Sequence, residues 1–509
     1  MSDRETIFAL LQRGAPRDVA IAAPEREPLT YGRLRAHVEQ VVDTLRGFGI
    51  TRNDRMALML PNGPELASAF VAVAACAAAA PLNPAYRTHE LRLYLSDLRP
   101  KALVVAHRDS CAIDVARELS VPVIQLIVPA GAAAGIFRLC SPQPQMSGEV
   151  TPPADGLADD VALVLHTSGT TSRPKMVPLS QRNLCASARH IRETLALTPQ
   201  DRCLNIMPLF HIHGLMAGVL ASLSAGASTV CTPGFAAFKF VSWTHAMRPT
   251  WYTAVPTMHQ AIVDRAERRA DFVRAQGLRF IRSSSAPLPR RVTAGLETVF
   301  GVPVIESYGM TEAAHQITSN PLPPGTRKPG TVGRAAGPAV AIMDASGQLL
   351  GASASGEVVI RGANVTSGYA GDPTASAAAF SDGWFRTGDQ GVLDADGCLT
   401  IVGRLKEMIN RGGEKISPRE VDDVLMEHPA VAQAVTFAVP HDTLGEDVAA
   451  AVVLRAGASA HVRELRAFVA ARMVDFKVPR SLVIVDEIPR GATGKLQRIG
   501  LAQKLGLTS

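Results

Sequence analysis

His166-Thr167-Ser168-Gly169-Thr170-Thr171-Ser172-Arg173-Pro174-Lys175 comes directly after the apolar run Val161-Ala162-Leu163-Val164-Leu165, and this junction decides the fold class. The apolar run reads as a buried strand, and the segment after it as a loop built to hold phosphate. Small residues let backbone N–H groups approach anionic oxygens, hydroxyls add donors, and Lys175 adds charge. The loop lacks the G-x-x-x-x-G-K-[ST] spacing, which turns the reading away from P-loop kinases and GTPases. An ordinary surface turn has a similar composition, so the loop takes its meaning from the motifs downstream of it.

There are four such motifs, in order. They are Tyr308-Gly309-Met310-Thr311-Glu312, Gly383-Trp384-Phe385-Arg386-Thr387-Gly388-Asp389, the run from Gly403-Arg404-Leu405-Lys406 through Asn410-Arg411-Gly412-Gly413-Glu414-Lys415-Ile416, and Gly491-Ala492-Thr493-Gly494-Lys495-Leu496-Gln497-Arg498. In this order and spacing the set resembles the adenylate-forming superfamily: acyl-CoA synthetases, peptide-synthetase adenylation domains and luciferase. The resemblance runs from Leu29-Thr30-Tyr31-Gly32 to Arg498.

The chain has 509 residues, more than one typical core, and should divide into domains. At 47% hydrophobic and 19% charged it has the composition of a soluble globular protein. The net charge of +6 is mild and no polybasic run stands out, so nucleic acid is not the expected partner. The seven cysteines are an odd, dispersed set without a C-x-x-C pair and read as reduced thiols of a cytoplasmic protein. The stretch Ala69 to Leu82 is too short to span a bilayer and reads as a buried helix. The N-terminus shows no secretion signal, and Leu507-Thr508-Ser509 is not a peroxisomal tripeptide.

Tyr31 to Phe48 and Pro64 to Ala80 read as helices, Arg55 to Leu60 and Ala102 to Ala106 as strands. The alternation argues for α/β layers with largely parallel strands. Residues 128–160 read as a mobile connection rich in Ala, Gly, Pro and Ser, and Val340 to Thr366 as a small β-subdomain. Later segments read as strands (Val431 to Val439, Ala449 to Val453, Ser481 to Val485) and helices (Pro418 to Met426, Val462 to Met473). The expected fold is α/β. A large N-terminal domain of layered α/β subdomains plus a β-subdomain would occupy residues 1–403. A small mobile α+β C-terminal domain would occupy 404–509, with a hinge near Lys406.

The resemblance implies an ATP-dependent acid–CoA ligase using ATP, Mg²⁺ and CoA. A carboxylate attacks the α-phosphate of ATP to give an acyl-adenylate and pyrophosphate, and CoA thiol then takes the acyl group. Thr167, Ser168, Gly169, Thr170, Thr171 and Lys175 would hold the β- and γ-phosphates; Ser172 stands where the family usually has Gly. Thr311 would bond the α-phosphate, and Glu312 would be the Mg²⁺ ligand, a hard oxygen for a hard cation. Ser285, Ala286, Glu306, Tyr308 and Gly309 would lie beside the nucleotide. Asp389 would accept from the ribose hydroxyls, with Arg404 assisting. Lys495 would bridge the attacking carboxylate and the α-phosphate as the main catalytic residue of adenylation. Rotation about Lys406 would then replace Lys495 with the Arg411 to Lys415 segment, where Gly412, Gly413 and Lys415 meet CoA.

The same resemblance implies that the acid would be met by Pro208-Leu209-Phe210-His211-Ile212-His213-Gly214 and Arg282-Ser283-Ser284-Ser285-Ala286-Pro287-Leu288, with His315 facing the same pocket. His211 resembles the family's gating histidine. His213, Ser285 and His315 would make a polar pocket suited to a short diacid, whose second carboxylate is costly to bury without partners. These segments are similar to those of the oxalate–CoA ligases of plants and yeast, with Gly309 standing where those enzymes often carry Ala. Core histidines would read the same way, so a fatty- or aryl-acid–CoA ligase stays open. So does an adenylation enzyme that loads a carrier protein, although the chain shows no Gly-Gly-x-Ser carrier segment.

Overall fold

Side chains alternate between the two faces of each central strand, and here both faces are apolar. Met56 and Leu58 enter one core and Ala57 another; Trp251 and Phe280 enter the first, Tyr252 and Ile281 a third. Burial on both faces is the condition under which parallel sheets are found. The computed structural model describes residues 5–52, 54–107, 111–141, 157–167, 174–489 and 498–507.

The chain divides into two compact units. The first comprises Met1–Thr167, Pro174–Val340 and Ile360–Phe385, and contains two large sheets. The seven-stranded sheet orders Arg138–Cys140, Val123–Ile127, Ala102–Val105, Arg55–Met59, Ala78–Pro81, Val161–Thr167 and Lys175–Ser180. The nine-stranded sheet runs from Arg334–Ala335 through Thr318–Ser319, Val304–Tyr308, Phe280–Ser283, Trp251–Ala254, Arg202–Asn205, Ser228–Cys231 and Val19–Ala22 to Leu29–Thr30. From Val304–Tyr308 to Val19–Ala22 its neighbours are parallel.

A core shared by both sheets takes the inner faces of helices Tyr31–Gly47, Pro64–Ala74 and Gln181–Thr194. The opposite face of the nine-stranded sheet packs on helices Ala237–Met247, Pro256–Ala266 and Arg290–Phe300. That of the seven-stranded sheet packs on Thr88–Leu98 and Cys111–Glu118. The layered α/β expectation is met, with one correction: Pro64 to Ala80 is not one helix. The helix ends at Ala74, and Ala78–Pro81 is a fully buried strand between Arg55–Met59 and Val161–Thr167. Alanine favours helix by intrinsic propensity, but pairing with a strand on each side and burial on both faces override it. The connection expected over 128–160 also contains a short strand, Arg138–Cys140, antiparallel to Val123–Ile127; residues 142–156 of it lie outside the described residues.

The second unit includes Ala341–Val359 and the chain from Arg386 onward. Trp384–Leu393 continues into it and pairs antiparallel with Leu399–Arg404. Its five-stranded sheet joins Glu414–Ile416, Ile409–Arg411, Gly445–Leu454 and Val431–His441, with Ser481–Ile484 added in parallel. One face is covered by helices Pro418–Glu427 and Val462–Ala470, the other by Leu501–Lys504. This is the expected small α+β arrangement.

Asp201 ties together the starts of three parallel strands. Its buried carboxylate accepts from Thr198 N (2.8 Å), from the Thr198 hydroxyl and from the Thr250 hydroxyl (2.7 Å), and pairs with Arg279. Replacing one oxygen by an amide breaks an ion pair and reverses a hydrogen-bond polarity. Asp201→Asn is expected to destabilise the protein by about 2–4 kcal/mol, read as a lower urea midpoint with an unchanged slope.

Candidate active site

The residues expected to meet the acid are carried by the carboxyl ends of the parallel strands. His213 lies beyond Arg202–Asn205 and opens a π-helix, Gly214–Leu220, in which the N–H of Ala221 reaches the carbonyl of Met216. Such wide turns are rare and frequent at functional sites. The helix lies close to its strand because a Cβ on Gly218 would come within 2.4 Å of the Asn205 side chain. The Asn205 amide in turn donates to the carbonyl of Gly214 (3.2 Å).

Ser285 stands two residues beyond strand Phe280–Ser283, with φ +73°. Ser284 anchors the turn from below by donating to the Ser307 carbonyl at 3.1 Å. After strand Val304–Tyr308, a short 3₁₀ turn at Thr311–Ala313 leads to Ala314 (φ +46°) and His315 (φ +94°). Three non-glycine residues with positive φ around one site is a concentration of backbone strain. Gly309 makes the last turn possible, since a Cβ there would lie 1.4 Å from the His315 carbonyl oxygen. An alanine at this position would require another path for 314–315.

These elements bring His213, Ser285 and His315 together. The two imidazoles stack at 4.7 Å between centroids, tilted by 24°. His213 contacts Ser285 Oγ through Nδ1 (3.1 Å) and Thr253 Oγ1 through Nε2 (2.6 Å). Behind them lies Arg282, fully buried. Its Nη1 donates to His315 Nε2 (3.0 Å) and more distantly to Thr253 Oγ1 (3.5 Å), and its Nη2 to Gln316 Oε1 (3.3 Å). Burial pushes the His213 pKa well below its usual value, and the nearby Arg282 guanidinium acts in the same direction. Burial also lowers Arg282 to about 9, so it remains protonated at neutral pH. His211 stands nearby in sequence, its ring against that of Phe210 at 4.6 Å.

A second constellation surrounds Glu312, which is buried. Its Oε1 accepts from the Tyr369 hydroxyl (3.1 Å), and its carbonyl accepts from Thr366 N (2.7 Å). The ammonium of Lys175 sits over the ring of the same tyrosine, 4.3 Å from its centroid. Tyr369 thus joins Lys175 to the carboxylate of Glu312. Thr167 faces Lys175 across an antiparallel pair, its hydroxyl donating to the lysine carbonyl at 3.4 Å. Glu306 accepts from Leu288 N (3.4 Å), and Ala286 is exposed. Among the described residues no group of three or more His, Cys, Asp or Glu side chains could hold a metal. A single carboxylate fits Mg²⁺, which keeps waters and takes its other ligands from phosphates.

In the second unit, Asp389 lies within strand Trp384–Leu393, directly opposite Arg404, and its Oδ1 pairs with Arg404 Nε at 2.8 Å. Gly412 (φ +58°) and Gly413 (φ +97°) form the two-residue loop of a hairpin in which Arg411 faces Glu414. Both central residues need positive φ in that turn, which explains the Gly-Gly pair. Lys415 is exposed on the hairpin's second strand. Ser168, Gly169, Thr170, Thr171 and Lys495 lie outside the described residues.

Sequence reasoning missed Thr253 and Tyr369 and gave Arg282 no role. An arginine closing the apolar run Phe280-Ile281 was a usable signal; Thr253 and Tyr369 carried none.

Residues 10–370 match the family described as AMP-binding enzyme, and residues 420–495 its C-terminal domain. The chain belongs to the AMP-binding enzyme family. The oxalate–CoA ligase of Arabidopsis thaliana is 42% identical over 98% of this chain and 99% of its own length. That of Saccharomyces cerevisiae is 39% identical over 97% and 95%. Among solved structures, ATP-bound MatB from Rhodopseudomonas palustris has a TM-score of 0.87 at 29% identity, covering 98% of this chain and 99% of that one. Within the AMP-binding family this chain is an AMP-forming acid–CoA ligase that works with ATP, Mg²⁺ and CoA. No helix among the described residues is long and apolar enough to cross a membrane.

The buried histidines make stability depend on pH. Burial holds His213 well below its usual pKa and His259 at about 3, whereas unfolded histidine titrates near about 6.5. Below that value the unfolded chain binds protons the folded chain refuses. Their contribution is therefore full above pH 6.5 and falls as the pH drops, by about 1.4 kcal/mol per group per pH unit. Urea unfolding from pH 7.5 to 5.5 should show this decline, and His259→Gln should make it shallower by about one group.

Proposed function

We propose that this acid–CoA ligase activates oxalate or another small dicarboxylate. The observation that carries the reading is the buried, stacked pair His213 and His315 with Ser285. A pocket for an alkyl or aryl chain gains nothing from hydrogen-bonding groups buried in its wall, whereas a second carboxylate needs them. The whole-length similarity to two oxalate–CoA ligases supports the same choice. A cytoplasmic location accords with the reduced-thiol composition.

The proposed roles derive from the chemistry of the two half-reactions. The acid's carboxylate oxygen attacks the α-phosphorus, the bond to the bridging oxygen breaks, and pyrophosphate leaves. Negative charge gathers on the α-phosphate, so cations and donors placed there supply most of the acceleration. Lys495 takes this position, with Thr311 as a donor and the 167–175 loop, ending in Lys175, on the outer phosphates. Glu312 is the residue that holds Mg²⁺, which neutralises phosphate charge when bound. Tyr369 donates to one oxygen of Glu312 and so orients its carboxylate. Asp389 takes the ribose hydroxyls, its own orientation fixed by Arg404. His211 gates the path of the acid. In the second step the CoA sulfur attacks the acyl carbon, AMP leaves, and the thiol proton is lost. The Gly412-Gly413 hairpin and Lys415 serve that step, with residues 1–403 and 404–509 as domains and Lys406, on the exposed turn Leu405–Glu407, as the hinge.

Pyrophosphate release with ATP, Mg²⁺ and CoA should be clearly fastest on oxalate or malonate among oxalate, malonate, a medium-chain fatty acid and benzoate. Preference for either of the last two would overturn the dicarboxylate reading. Lys495→Ala should abolish adenylate formation in a folded protein. Tyr369→Phe keeps the ring beneath Lys175 but removes the hydroxyl that donates to Glu312; kcat should fall about tenfold, with a higher Mg²⁺ requirement.

A further inference from the structure

Arg282 is an arginine buried in a sheet without an acidic partner. No Asp or Glu among the described residues pairs with it; its neighbours are His315, Thr253 and Gln316, and its Nε has no partner. A buried charge left without a counter-ion is rare, because structures normally pair it. A guanidinium also has one property that a histidine or a hydroxyl lacks: it can only donate.

That property orders the protons around it. Because Arg282 Nη1 donates to His315 Nε2, that nitrogen must offer its lone pair, and the His315 proton sits on Nδ1. Thr253 Oγ1 is fully buried between Arg282 Nη1 and His213 Nε2. The threonine hydroxyl must place its hydrogen somewhere, and the guanidinium cannot accept it. It therefore donates to His213 Nε2, at 2.6 Å, and the single proton of the neutral imidazole sits on Nδ1. His213 then donates to Ser285 Oγ, at 3.1 Å. The Ser285 hydroxyl hydrogen is thereby turned away from the histidine. No other partner among the described residues engages it, on a half-buried residue held at φ +73°.

We infer that Arg282 is a specificity-determining positioning residue, which acts through Thr253 and His213 to make Ser285 a hydrogen-bond donor toward the acid and so selects substrates whose second end is a proton-free anion. This rests on the reading that His213 and Ser285 line the acyl pocket. A reversed chain would present Ser285 as an acceptor, repelling a carboxylate and admitting a hydroxyl. The uncompensated charge of Arg282 behind the wall acts in the same sense, favouring an anion over a neutral group of the same size.

The test is a double-mutant cycle on selectivity, kcat/KM for oxalate divided by that for acetate. Thr253→Val removes the hydroxyl link at nearly constant shape and is expected to lower the ratio at least tenfold, mostly through KM for oxalate. Thr253→Ser restores the link and should return the ratio to within about threefold of the parent, as a merely shape-filling threonine would not. Ser285→Ala should lower the ratio similarly. The double variant Thr253→Val/Ser285→Ala should lose little beyond either single one, because the relay acts through Ser285. If Ser285→Ala lowers the ratio and Thr253→Val does not, or if the two losses simply add, the relay is wrong and the pocket reading stands. If Ser285→Ala leaves the ratio unmoved, the pocket reading itself fails. Should the Val variant not fold, ¹⁵N spectra of histidine-labelled parent enzyme decide: His213 must show an unprotonated Nε2 and a protonated Nδ1, and the opposite tautomer overturns the proposal.

Discussion

Parallel strands buried on both faces leave only their ends for chemistry, and that constraint shapes the first unit. The five adjacent parallel strands from Val304–Tyr308 to Ser228–Cys231 are covered by helices on one side and by the core shared with the second sheet on the other. Their side chains are committed to packing. Chemistry is left to residues at the carboxyl ends, where open α/β sheets characteristically bind ligands. His213, Ser285 and the Thr311-Glu312 turn all occupy such ends, while Thr253 and Arg282 reach the same place from the last residues of their strands. Asp201 secures the opposite ends of three of these strands, so the distances between the site residues derive from a single rigid frame.

Precision at the site is obtained with strain. Ser285, Ala314 and His315 adopt left-handed backbone conformations that cost side-chain-bearing residues on the order of 1–3 kcal/mol each. Each is held by local bonds: Ser284 to the Ser307 carbonyl, Ser187 to the Ala314 carbonyl at 2.5 Å, and His315 N to the Met310 carbonyl at 3.0 Å. Gly309 belongs to the same device, because the carbonyl of His315 occupies the volume that a side chain there would need. The stacking of His315 on His213 depends on this turn, so the polar cluster is set partly by backbone geometry and partly by the identity of its side chains.

Tyr369 shows how two sequence motifs become one site. Its ring receives the Lys175 ammonium and its hydroxyl reaches Glu312. A cation over an aromatic face keeps its charge available while its direction is fixed, and a hydrogen bond to one carboxylate oxygen fixes the plane of the other group.

Much of the architecture was legible in the chain. The alternation of apolar runs with helical periodicity determined layered parallel sheets, because both faces of such strands must be buried wherever they fold. The order of the motifs determined the family, and the resemblance to that family together with side-chain chemistry pointed to His213, Ser285 and His315 as expected pocket residues. Other features were decided only by the tertiary structure. Ala78–Pro81 is a strand because pairing with a strand on each side and burial on both faces outweigh alanine's own preference. Thr253 lies 40 residues from His213, Arg282 33 from His315, and Tyr369 57 from Glu312. No local pattern encodes contacts over such separations. They arise when parallel strands are laid side by side, and the direction of each proton in the site is set by which of its neighbours can only give one.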